Sequence, residues 1–249
     1  MNKLFEEIRT GLDQGEFFLE YLPTVEIETG RCVGAEALAR WRRPGGVVRP
    51  DKFIPFVEGT PLSGPLTYWV LETAAREIGD LLRSRPDLSL SVNVPPELLG
   101  RGGVASTIRH AGIADLVDQL VLEITERGLP DQLGIDALPL ATEAGCRIAI
   151  DDAGHRGAHL MVLSRVCTVH QVKIDRACVY RLAPESPDMD WIRNLAALAS
   201  SSGVEVVAEG VETTQQVELL RAAGVGLAQG HYFSPALSAE ELKRFVERR

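Results

Sequence analysis

The sequence predicts an α/β chain closed into a TIM-like β/α barrel with one antiparallel strand near the N-terminus. Three observations point there. Short β-rich runs alternate with longer segments of helical period, as in a mainly parallel sheet. About eight such units fit in 249 residues, the size at which such a sheet closes into a barrel. The first two strand-like runs break the rule: "FFLEYLPTVEIETGRCVGAEAL" sets them around the turn-rich "ETG" with no helix between, so a hairpin reverses one barrel strand. A doubly wound open sheet remains the alternative on pattern alone.

The strands read in order as Phe17–Leu22 ("FFLEYL"), Cys32–Leu38 ("CVGAEAL"), Leu88–Val94 ("LSLSVNV") and Leu120–Ile124 ("LVLEI"), then Arg147–Ile150 ("RIAI"), Val169–Ile174 ("VHQVKI"), Val204–Ala208 ("VEVVA") and Val225–Ala228 ("VGLA"). Helical patterns fall at Leu66–Ser84, Gly103–Ala111, Asp131–Ala144, Asp188–Ser201 and Thr214–Ala222. A last helix, Ala239–Glu247, follows the cap Ser238. No linker divides the chain, "APESP" at Ala183–Pro187 being a loop, so residues 1–249 read as a single domain.

Composition removes several classes. With 45% hydrophobic and 24% charged residues the chain can bury a sizeable core, and no run approaches the roughly eighteen apolar residues of a membrane span. The opening "MNKLFEEIRTGLDQGEFFLEY" carries acids throughout and lacks a signal peptide's apolar centre, which predicts a cytosolic protein. Cys32, Cys146, Cys167 and Cys178 form no CxxC pair, and the five histidines show no metal-finger spacing, so neither zinc nor a disulfide framework is expected. The net charge of −9 disfavours a nucleic-acid polymer, because the longest basic cluster, "RWRRPGG", is too short for a duplex-binding face. A small anionic ligand is compatible if the site neutralises it.

The strand ends carry the chemistry. Glu36 lies within "GAEAL" and Asn93 precedes a double proline. Glu123 and Glu126 stand in "VLEITE", Asp151 and Asp152 in "AIDDAG", Lys173 in "QVKID", Glu209 and Glu212 in "VVAEGVE", and Gln229 in "LAQG". Singly, most read as helix caps or turn residues, and Lys173 as a snorkelling rim residue. Caps would draw on Ser, Thr and Asn as much as on acids, so the excess of Glu and Asp is unexplained by capping. In a barrel these ends share one face, where active sites are built. Five or more carboxylates in one cup stay ionised only with cations. Oxygen ligands without His or Cys select Mg²⁺ or Mn²⁺, and two such ions about 3.5–4 Å apart clamp a phosphodiester and activate a water. A Schiff-base lyase using Lys173 fits poorly, because the acids hold its amine protonated.

In this order, the motifs "GAEALARWRRPGG", "AIDDAG", "VKIDR", "AEGVET" and "QGHYFSPALSAEEL" resemble the EAL-domain family of cyclic di-GMP phosphodiesterases over nearly the whole chain. The resemblance implies the same barrel with one antiparallel strand. It implies that Glu36, Asn93, Glu123 and Asp151 hold one Mg²⁺ or Mn²⁺, and that Asp151, Asp152 and Glu209 hold or orient a second. Lys173 would hydrogen-bond the attacking water and stabilise phosphoryl charge. Leu38, Arg40 and Gln229 would contact the ligand, with Arg40 reaching a phosphate. Glu126 would steady the loop after the fifth predicted strand, and Glu212 would act from behind the ligands. The implied reaction opens cyclic di-GMP to linear pGpG in the bacterial cytoplasm, with a homodimer formed through that loop.

Two departures stand out. Where the family has a sequence like "DDFGTGYSSL", this chain has "DDAGHRGAHL", with Ala153 and His155-Arg156-Gly157 replacing the aromatic and the Thr-Gly-aromatic stretch. In "EYLP", Leu22 stands where the family often has a ligand-contacting glutamine. The altered loop makes a receptor or interaction module that binds cyclic di-GMP without cleaving it the alternative reading.

Overall fold

In the computed structural model the described residues are 3–99, 102–125, 132–153 and 167–248. The strands are β1 (Phe17–Glu26), β2 (Cys32–Arg43), β3 (Gly46–Val48), β4 (Ser89–Asn93), β5 (Leu120–Thr125), β6 (Arg147–Ala153), β7 (Gln171–Ile174), β8 (Glu205–Ala208) and β9 (Leu227–Ala228). The helices are α1 (Lys3–Asp13), α2 (Ser63–Ser84), α3 (Pro96–Leu99), α4 (Gly103–His110), α5 (Gln132–Glu143), α6 (Arg176–Tyr180), α7 (Pro187–Ser202), α8 (Thr214–Ala222) and α9 (Ala239–Glu247).

The strand order β1-β9-β8-β7-β6-β5-β4-β2, with β2 returning to β1, closes an eight-stranded ring. β1 runs antiparallel to both β2 and β9, and the remaining ring pairs are parallel. That closure eliminates the open sheet and gives the barrel with one reversed strand. β3 lies outside the ring, antiparallel to the far end of β2.

All eight predicted strands are present, but β1 and β2 run further than their sequence pattern. β1 runs through Pro23, although proline donates no ladder hydrogen bond. Here it costs little. Tyr21 N–H donates to Leu237 O at 2.7 Å on one side of β1, and Val25 pairs with Ala228 on that same side. Pro23 falls between the two, where no partner is needed. β2 continues through Trp41 because that indole is buried and stacked on Phe17, its cross-strand partner, at 5.3 Å and 7°. Phe53 and Trp69 meet the Phe17 ring edge-on, at 5.5 and 5.9 Å. This aromatic group stands on the outer face of the hairpin.

The six predicted helices are found near their predicted positions as α2, α4, α5, α7, α8 and α9, while α1, α3, α6 and β3 were not read from the sequence. Where helix caps are seen, they are Asp175, Ser186, Thr213 and Ser238, with full capping boxes at the last two. None is a residue singled out for the site. No helix among the described residues is long and apolar enough to cross a membrane.

Candidate active site

Parallel strands in register bring their last residues to one level. Glu36 pairs with Ser91 two places before Asn93, Asn93 pairs with Glu123, and Thr125 pairs with Asp151. Lys173 comes from β7, and Glu209 follows β8 directly. These groups converge on the Lys173 ammonium, which is 1% exposed. Its Nζ lies 2.9 Å from Glu36 Oε2, 2.9 Å from Glu123 Oε2, 2.6 Å from Glu209 Oε1 and 3.7 Å from Asp151 Oδ1. Asn93 Nδ2 donates to Glu36 Oε1 at 2.9 Å.

One ammonium cannot neutralise that many carboxylates. Burial pushes Glu123 well above the ordinary carboxylate range, and its neighbours Glu36 and Asp151 push the same way. Burial also raises Asp151, against the pull of Lys173. Glu209 is pushed up to about 8, chiefly by burial. Lys173 is drawn in both directions: burial lowers its proton affinity, but Asp151, Glu123, Glu209 and Glu36 together outweigh burial and hold it well above the usual lysine value. It stays an ammonium, while Glu123, Asp151 and Glu209 are each pushed toward the protonated form.

The adjacent aspartates face the same way because β6 is bulged. In a regular strand, Asp151 and Asp152 would point to opposite faces. The β6–β7 register slips between Ile150 and Ala153, and Asp152 has φ +57°, the one non-glycine residue in the left-handed region among the described residues. One oxygen each from Asp151, Asp152 and Glu209 then lies within 4.8 Å of the others. Both oxygens of Glu123 and Oδ1 of Asp151 are buried without a hydrogen-bond partner among the described residues; Glu123 Oε2 is near the ammonium but off a hydrogen-bonding line. Orphaned buried carboxylate oxygens in an all-oxygen donor set fit hard divalent cations.

Arg40 is buried on the inner wall, its Nε donating to Glu20 Oε2 at 2.7 Å and Nη1 to Ala39 O at 3.2 Å. Leu38 is half-buried and, with Asn93, Asp151 and Asp152, lines a cavity of about 290 Å³ that extends to Ile54 and Val57. Gln229 is 1% exposed, and its Nε2 donates to Thr24 Oγ1 at 2.8 Å. Glu212 is exposed before α8, apart from the cluster, with its backbone N–H donating to Gln216. Glu126 and the departures at His155, Arg156 and Gly157 lie outside the described residues. Glu20 and Thr24, which hold Arg40 and Gln229, were missed; β1's alternation sets Phe18, Glu20, Leu22 and Thr24 on one face, the only signal that could have found them.

The EAL domain family model matches residues 6–236. Cyclic di-GMP phosphodiesterase NbdA of Pseudomonas aeruginosa is 34% identical over 249 residues, covering 97% of this chain and 31% of that protein. The probable cyclic di-GMP phosphodiesterase PdeB of Escherichia coli is 32% identical, covering 96% of this chain and 46% of the relative. The chain thus spans less than half the length of these curated relatives. Among solved structures, the PaMucR phosphodiesterase in complex with c-di-GMP superposes with a TM-score of 0.86 at 30% identity, covering 97% of this chain and 100% of that one. The EAL enzyme Bd1971, bound to cAMP and cyclic di-GMP, gives 0.85 at 27% identity over 98% of this chain and 68% of that one. A family model spanning nearly the whole barrel, together with relatives matched over nearly all of this chain, gives the lineage of the acid-lined mouth: the chain belongs to the EAL domain family.

Proposed function

We propose that this chain is a metal-dependent phosphodiesterase that hydrolyses cyclic di-GMP to linear pGpG. The observation that carries the reading is the convergence of Glu36, Asn93, Glu123, Asp151, Asp152 and Glu209 around Lys173, with three buried carboxylate oxygens unpartnered. The names of NbdA and PdeB, and the c-di-GMP in the PaMucR structure, support the choice of substrate.

In this reading Glu36, Asn93, Glu123 and Asp151 hold one Mg²⁺ or Mn²⁺, and Asp151, Asp152 and Glu209 hold the second. Such ions supply Lewis acidity toward the phosphoryl oxygens and lower the pKa of a water. The protein's own groups do the rest. Lys173, a permanent ammonium on a packed strand, hydrogen-bonds the attacking water and opposes the charge that develops on the phosphoryl oxygens. Glu209 and Asp152 orient that water and accept its proton. Arg40, fixed by Glu20, faces a phosphate, and Leu38 offers an apolar wall. Gln229 contacts the ligand, Glu126 steadies the loop after the fifth predicted strand, and Glu212 acts from behind the ligands. The water oxygen bonds to phosphorus as the P–O3′ bond breaks, the proton taken from the water passes to the departing 3′ oxygen, and the phosphate stays on the 5′ oxygen. A bacterial cytosolic setting, a single domain and a homodimer through the loop after Ala153 belong to the same proposal.

The test is incubation of purified protein with cyclic di-GMP and Mn²⁺ or Mg²⁺, following pGpG by chromatography. Metal-dependent product that disappears in Glu36→Ala is the expected result. Tight binding with no product at high enzyme would overturn it in favour of a receptor.

A further inference from the structure

The inner face of the β1–β2 hairpin runs on past the acidic cluster to the rim. Alternation puts Glu36, Leu38, Arg40 and Arg42 on one face of β2, with Leu22 opposite Glu36, Glu20 opposite Leu38 and Phe18 opposite Arg40. Arg40 is committed to Glu20. Arg42 is not: it is exposed, and its guanidinium has no hydrogen-bond or ion-pair partner among the described residues. Its guanidinium carbon lies 4.8 Å from the centroid of the half-buried Phe18 ring. The neighbouring Arg43 differs in this respect. It also covers an aromatic ring, Trp41 at 4.4 Å, but on the outer face, and it donates to Glu7 at 2.8 Å.

We propose that the Phe18–Arg42 pair is a stacking platform for a purine base of the bound dinucleotide, an inference that rests on the phosphodiesterase reading and adds a subsite to it. Three features argue for a base. A guanidinium is planar and weakly hydrated, so a second flat ring extends the pile of aromatic and cation on its open side. Arg42 lies two residues beyond Arg40, about 7 Å along the strand, which matches the reach from a nucleotide's phosphate to its base. The pair also sets a positive charge at the mouth of a protein whose net charge is −9, where an anionic ligand must enter.

The test uses a cyclic dinucleotide carrying 2-aminopurine in place of one guanine, mixed with the protein and Mg²⁺ in a stopped-flow fluorimeter. The first phase precedes turnover, and stacking quenches 2-aminopurine. The expected result is quenching in the wild type, diminished in Phe18→Leu and in Arg42→Gln, with affinity weakened about tenfold in each. Phe18→Tyr, which keeps the ring, restores both. Wild-type quenching and affinity in both variants would overturn the platform while leaving phosphodiesterase activity standing. A defect confined to Arg42→Gln and abolished by high salt would also overturn it, reducing Arg42 to an electrostatic attractor. A wild type that neither binds nor cleaves cyclic di-GMP would overturn the functional reading and the platform together.

Discussion

At the scale of the residue, Lys173 is the pivot of the site. It is the central positive charge for Glu36, Glu123, Asp151 and Glu209. Its replacement by methionine removes the ammonium paired with the buried Glu36 at the centre of the cluster, so the metal-free protein should lose about 3–5 kcal/mol in urea unfolding. Turnover should fall by at least about a hundredfold even with Mn²⁺ restored, since the donor to the reacting group is gone. Glu36→Ala should likewise abolish product formation. Glu209 makes a prediction about pH. Its carboxyl titrates near 4.5 when unfolded and at about 8 when folded. Between those values the folded state holds a proton that the unfolded state has lost, so its contribution to stability declines as pH rises. The Tm of metal-stripped wild type, measured against Glu209→Gln, should therefore drop between about pH 5 and about pH 8.5. An unchanged difference would contradict the burial of that group.

Individual elements explain what could and could not be read from the sequence. The eight ring strands and six of the helices were legible because each carries a period that packing then rewards, whereas the 11-residue α1 was passed over. β3 and α6 were not legible, being three and five residues long, too short for any period to register. The strand-end acids and Lys173 were legible as a set on one face of the barrel, but the gathering of Glu36, Glu123, Asp151 and Glu209 about the Lys173 ammonium was not. What made Asp151 and Asp152 neighbours in function was not, because a bulge is a register event between two strands and neither sequence alone displays it. Thr24 was not read as part of a strand, because the predicted first strand ends at Leu22 whereas β1 continues to Glu26. The bulge predicts a separation of roles. Asp152→Gly suits φ +57° and should leave the urea midpoint within about 1 kcal/mol of wild type, while isothermal titration shows Mn²⁺ affinity lost. Gly230 gives the opposite case. At φ +148°, with a Cβ directed into the backbone N and O of Val211, Gly230→Ala should cost about 1–3 kcal/mol or more and disturb Gln229 beside it. Chemical denaturation measures both.

The whole molecule depends on its one reversed strand. β1 seals the ring by pairing with β2 along most of its length and with β9 over two residues, and the aromatic group of Phe17, Trp41, Phe53 and Trp69 clamps the longer of these seams from outside. Trp41→Ala should cost about 3–5 kcal/mol, seen as a lowered urea midpoint, because it removes the largest buried ring at the join. The same closure governs the acids. Glu36 and Glu209 stand on opposite ends of the chain's order yet approach a common Lys173, so neither half of the barrel carries a complete set of ligands. On the proposed metal reading, cation uptake is a gauge of assembly. A proteolytic fragment, or a chain stalled with its first hairpin undocked, would lack the geometry to grip an ion, and a nicked preparation supplied with manganese should retain it only in molecules whose circle has been completed.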